Sequence, residues 1–177
     1  MRNVYLDYSA TTPVKESVLN EMIPYFTEKF GNASSIHSFG QDAKRALEQA
    51  RSTVAKTMNT TPDTIYFTAG GSEADNWALK GVMWANKAKG NHLITSKIEH
   101  HAILHTCEAL EKQGFEVTYL DVDSEGLISL EALEAAMRPS TVLVTIMAIN
   151  NEIGTRQPIE EIAKIAHKHG ALFHTDA

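Results

Sequence analysis

The segment VLVTIM at 142–147 constrains the fold most, because it stays apolar along its length instead of alternating with polar residues. A strand with one wet face would read with period two, so this one must be covered on both faces. HLITS at 92–96, EVTYL at 116–120 and Leu172–Thr175 have the same strand character. Helical patterns separate them at His101–Gln113, Leu130–Met137 and Ile159–His169, with Gly114 stopping the first. Regular β/α alternation with buried strands dictates a mainly parallel sheet with helices on both faces, a three-layer α/β fold.

Upstream, Thr64–Gly81 reads TIYFTAGGSEADNWALKG. Residues 65–68 have strand composition, two glycines follow, and Ser72 is placed to cap a helix. Glu73 and Asp75 fall in the first turn, where carboxylates suit the helix dipole. Ala74, Trp77, Ala78, Gly81, Ala85 and Ala88 suggest a small-residue face on that helix. A strand, a glycine turn and a helix start with free N–H groups make a phosphate cradle, although an ordinary βα turn has the same outline. Before it, Val4–Asp7 reads as a short strand. Val14, Val18, Met22, Phe26 and Phe30 step by four along a helix that Pro24 should kink. FGNASSIHSFG at 30–40 reads as an ordered loop or cap, and Ala43 to Met58 as a further helix ended by Thr60–Asp63.

Composition excludes several functions. The net charge of −6, with no basic run, argues against nucleic acid as a direct ligand. No run approaches the ~18 apolar residues of a membrane span, and the polar N-terminus does not read as a signal peptide. The single cysteine, Cys107, permits no internal disulfide and fits a reducing cytoplasm. It sits at an inward helical position and reads as a small buried hydrophobe. His101 and His105 are spaced i, i+4 but lack a third ligand, so no metal is expected.

In an open parallel sheet ligands lie outside the carboxyl ends of the strands. The residues there are Gly71-Ser72, Glu99-His100-His101, Asn150-Asn151-Glu152 and Asp176. A glycine-serine loop, an imidazole, an amide and a carboxylate suit a phosphorylated cofactor with a basic aromatic ring.

YLDYSATTPV, GNASSIHSFG, FTAGGSEADNWALKG, EHHAILHTCEAL, GFEVTYL, NNEIGTRQPI and FHTDA, in this order from residue 4 to 177, resemble the cysteine desulfurases of the NifS/IscS type. That resemblance implies a pyridoxal 5'-phosphate enzyme of the class V aminotransferase group, with an aspartate-aminotransferase-like fold. It implies that Gly71 and Ser72 hold the cofactor phosphate, in a place where Ala-Thr is more usual. His100 would stack on the ring and assist proton transfer, and is the expected catalytic residue. Asn151 would bond the ring hydroxyl oxygen, and Asp176 would pair with the ring nitrogen. Ala33 stands where the family's loop usually has proline.

The same resemblance implies that residues 1–15 join the small domain and residues 16–177 form the N-terminal part of the large, cofactor-binding domain. L-cysteine would be converted to L-alanine and an enzyme persulfide. A homodimer, and an Fe–S scaffold or other sulfur acceptor as partner, are expected. The family's cofactor lysine and sulfur-accepting cysteine lie beyond the HTDA motif. Lys164, Lys168 and Cys107 precede it and should not take their places. The chain alone is therefore expected to be inactive, and to need a complementary C-terminal half that also covers its exposed apolar surface. The alternatives are another class V relative, or a truncated paralogue acting as a binding protein.

Overall fold

The apolar segments between His92 and His174 form a four-stranded parallel sheet in the computed structural model, which describes residues 2–177. The chain divides into one unit ending at Phe67 and a second spanning Thr68–Ala177.

The first unit holds α1 (Glu16–Thr27) and α2 (Ser38–Thr57). Pro24 lies inside α1, and no residue of that helix is buried. The expected loop before α2 ends earlier than its glycines suggest, because His37 caps the helix by accepting from Gly40 N–H through Nδ1. Without a proline at Ala33, Asn32 holds this turn through its carbonyl to Ser35 N and its side chain to Ser34 N, both 2.9 Å. Val4–Asp7 and residues 65–68 are not strands. Their composition is right for a sheet, but a strand exists only as a hydrogen-bonded ladder and no neighbouring strand adjoins them among the described residues.

The second unit begins with α3 (Gly71–Ala85), followed by β1 (His92–Ser96), α4 (His101–Glu111) and β2 (Glu116–Leu120). It continues with α5 (Leu130–Ala136), β3 (Thr141–Thr145), α6 (Ile159–Lys168) and β4 (Leu172–His174). The sheet order is β2-β1-β3-β4, with every pairing parallel. Successive strand residues face opposite ways, and this divides the core in two. Leu93 and Leu143 pack with Leu79, Met83, Ile103 and Leu110 of α3 and α4. Their neighbours Ile94 and Val144 pack with Leu133, Ile162 and Ala166 of α5 and α6. The three expected layers follow.

The inward face of α3 differs from expectation. Asp75, Leu79 and Met83 are buried, whereas Trp77, Gly81 and Ala85 of the small-residue stripe are exposed. Leu79 and Met83 bury more area against the core than the alanines and glycine of the stripe would, so they set the rotation of the helix and carry Trp77 outward with the stripe.

His92 is the other polar surprise of the core. It is fully buried at the start of β1, with Nδ1 2.8 Å from Thr141 Oγ1 and Nε2 2.8 Å from Thr118 Oγ1. Burial, reinforced by the Arg138 charge, pushes its pKa down to about 4, so the ring is neutral at pH 7.

Candidate active site

The chain steps from β1 outward to β2, then crosses back over to β3 on the far side of β1 and on to β4. That reversal opens a crevice at the carboxyl ends of β1 and β3. The residues past β1 are Glu99 and His100, those past β3 are Asn150 and Asn151, and Asp176 follows β4.

His100 is the N-cap of α4, and its Nδ1 accepts from Ala102 N–H at 3.1 Å. The neutral imidazole therefore carries its proton on Nε2. Asp176 is half-buried, and its main-chain carbonyl accepts from Ala148 N–H at 2.8 Å, which fixes the segment alongside the extension of β3. Asp75 joins these two from the first turns of α3. One ligand atom from each of Asp75, His100 and Asp176 lies within 4.8 Å of the others. Asp75 is only 4% exposed, and burial together with the Asp176 charge raises its pKa to about 6. His174 stands behind it, with Nε2 3.7 Å from Asp75 Oδ1 and Nδ1 2.8 Å from Thr145 Oγ1. Burial holds His174 below the usual histidine range. The two carboxylates, Asp75 buried and Asp176 half-buried, concentrate negative charge, and they favour a cation, whether a protonated ring nitrogen or a metal ion.

Glu99 braces the site from below. It is buried, accepts from Ser96 Oγ at 2.6 Å and takes Met147 N–H on both oxygens at 3.1 and 3.0 Å. Burial pushes its pKa up to about 7 despite these bonds. Asn150 shapes the next turn by donating to Ile98 O at 2.7 Å and accepting from the N–H groups of Glu152 and Ile153. Asn151 is exposed on that turn, its amide 3.2 Å from Glu152 Oε1.

Helix α3 starts two residues earlier than expected, and Ser72 is not its cap. Gly70 occupies the N-cap, and Glu73 Oε2 reaches back to accept from Ala69 N–H at 2.6 Å. This carboxylate closes the turn, which leaves the Ser72 hydroxyl exposed and uncommitted to capping. The first-turn N–H groups at Gly71 and Ser72 have no intrahelical acceptor. A Cβ on Gly70 or Gly71 would meet nothing within 4 Å, so the turn is open to an approaching anion. Gly71 and Ser72 lie about one helical turn before Asp75 on the same helix. A turn open to an anion and a pair of carboxylates that would favour a cation thus adjoin on α3, and this donor set fits a phosphorylated cationic ring. Sequence reasoning missed Asp75 and His174. The spacing Asp75–Leu79–Met83 was the available signal, since it puts Asp75 on the buried face.

The aminotransferase class-V family model matches residues 4–177. A cysteine desulfurase IscS of Clostridium botulinum (strain Kyoto / Type A2) is 57% identical over 176 residues, covering 99% of this chain and 44% of the relative. Among solved structures, a NifS-like protein superposes with a TM-score of 0.96 at 43% identity, covering 99% of this chain and 49% of that one. The structure of SspA in complex with cysteine gives 0.93 at 47% identity, covering 98% of this chain and 50% of that one. The chain thus spans about half the length of the relatives it matches.

Proposed function

This chain belongs to the aminotransferase class-V family, and on that premise we propose that it forms the N-terminal part of a pyridoxal-phosphate-dependent cysteine desulfurase. The observation that carries the reading is the gathering of Asp75, His100 and Asp176 within 4.8 Å at the switch point, on the same side as the open start of α3. The similarity to SspA, whose solved structure is in complex with cysteine, supports L-cysteine as substrate.

The N–H groups at Gly71 and Ser72, with the Ser72 hydroxyl, would bind the cofactor phosphate. Asp176 would hold the ring nitrogen in its protonated state through a charge-assisted bond, which is strong in a poorly solvated site. Asn151 would orient the ring by its hydroxyl oxygen. Bound pyridoxal phosphate supplies an electron sink for a carbanion beside the substrate amino group. His100 would lie against the ring and hold or move a proton at Nε2, because Nδ1 is committed to the α4 cap. Glu99 keeps His100 in place by locking the β1–α4 turn to Met147.

Cys107 does not suit the sulfur-accepting role: it is fully buried in the α4 core, and burial pushes its thiol up to about 12. The reading therefore assigns the sulfur-accepting cysteine and the cofactor-anchoring lysine to a complementary C-terminal segment. It extends to a cytoplasmic homodimer that passes persulfide sulfur to an Fe–S scaffold or another acceptor protein.

The test is alanine release from L-cysteine by the complete protein loaded with pyridoxal phosphate. Asp176→Ala should lose cofactor retention and turnover together, and His100→Ala should weaken both. A loaded protein that releases no alanine from cysteine, or an Asp176→Ala variant with parental turnover, refutes the reading.

A further inference from the structure

Asp75 stands apart from the other residues of the crevice. Gly71, Ser72 and Asn151 are exposed, whereas Asp75 is almost entirely buried yet ionisable and faces a second carboxylate. A buried carboxylate within 4.8 Å of another is unfavourable unless a cation or a proton compensates it. The groups facing it are Asp176 after β4, His174 on β4, His100 at the start of α4, and Glu99 after β1. His174 does not compensate it, since burial keeps that imidazole neutral and 3.7 Å separates the two. Glu99 adds negative charge of its own only above its raised pKa of about 7. His100 is exposed, so solvent screens any offset it gives the carboxylates.

We propose that Asp75 is a positioning residue of this site. Its buried carboxylate, held beside Asp176 and His100, supplies the second negative charge that stabilises a cationic ring nitrogen at Asp176, and it gives up its own proton when that cation binds. The inference rests on the cofactor reading above and deepens it. Below about pH 6 and without a cation the pair of carboxylates holds one proton between them, and both ionise once the ring nitrogen pairs with Asp176. Cofactor binding is then linked to proton release from α3, at a residue that need not touch the ring.

The test uses the complete protein, with and without pyridoxal phosphate, and does not depend on turnover. Carbon-13 NMR of labelled aspartate carboxyls should show Asp75 titrating near pH 6 without cofactor, where its raised pKa places it, and at least about one pH unit lower with cofactor bound. Asp75→Asn keeps the shape of the side chain and removes the charge. It should weaken cofactor binding at pH 7.5 by about tenfold and shift the pH dependence of the cofactor's visible absorption. An Asp75 titration that does not move on cofactor binding overturns the inference even where the variant fails to fold, because it is read in the parent protein. Unchanged affinity and spectrum in a folded Asp75→Asn variant overturn it too. Failure of the parent protein to bind pyridoxal phosphate refutes the cofactor reading, and this inference with it.

Discussion

Acidification should destabilise the second unit through His92, and the size of the effect follows from its surroundings. The ring is fully buried, its two nitrogens face Thr141 and Thr118, and its pKa falls from 6.5 to about 4. The folded state therefore prefers the neutral ring, while the unfolded chain takes up a proton near pH 6.5. Stability from this residue is complete above pH 6.5, declines as pH falls toward 4, and changes no further below that. The full swing is at most about 3 kcal/mol. Asp75 and Glu99 act in the opposite direction, since their raised values of about 6 and about 7 make the fold gain stability as pH falls through that range. The wild-type curve is thus a difference of opposed contributions, and a variant is needed to isolate one. His92→Gln keeps a polar side chain but cannot titrate. Urea unfolding between pH 4 and 8 should show the variant less stable at pH 7.5 by about 1–3 kcal/mol, because buried hydroxyls lose their partners. The gap should shrink as pH falls from 6.5 to 4. A gap that is constant across this range would refute the assignment of a depressed, neutral His92.

Two further perturbations probe the core and the approach of backbone segments. Cys107 should resist thiol reagents in the folded protein and react at the rate of unfolding, and Cys107→Ala should keep alanine release while costing about 1–2 kcal/mol in urea unfolding. Gly90 passes so close to Ser140 that a Cβ would strike its carbonyl oxygen and come within 2.7 Å of its carbon and 2.9 Å of its Cα. Gly90→Ala should lower stability by about 1–3 kcal/mol in the same assay, with cofactor affinity unchanged, because the clash lies at the amino end of the sheet.

Strands β1 and β2 have the bounds their composition implied, because apolar runs flanked by helical patterns leave few alternatives. The sheet order was not legible: nothing in the residues of β3 says that it joins β1 and not β2. Residues 65–68 show the converse limit, since strand composition cannot supply a partner strand. Of the candidate site, the strand ends were legible to the extent that His100 and Asp176, expected there, lie together. Asp75 was hidden by its type, because a carboxylate in a first helical turn has an exposed, dipole-based explanation that requires no burial. Glu73 took the capping role assigned to Ser72 for a similarly local reason: its longer side chain reaches Ala69 N–H from the third helical position.

The seam between β1 and β3 has a consequence for how the crevice comes and goes. Its paired residues, such as Ile94 and Val144, are the most distant in sequence of any in the sheet, while β1–β2 and β3–β4 join nearer segments. His100 travels with the first pair of strands, and Asn151 and Asp176 with the second. The crevice therefore has no existence in either half alone and is created at the moment the halves close. Loop entropy opposes this closure only weakly, by about 0.6 kcal/mol for each doubling of loop length. Beyond the β1–β3 ladder, and His92 on Thr141 at its amino end, the carboxyl end of the seam is clasped by Glu99 on Met147 and by Asn150 on Ile98. A transient parting along this line would erase the site while leaving both halves of the sheet paired, so the crevice is a less durable object than the strands that carry it.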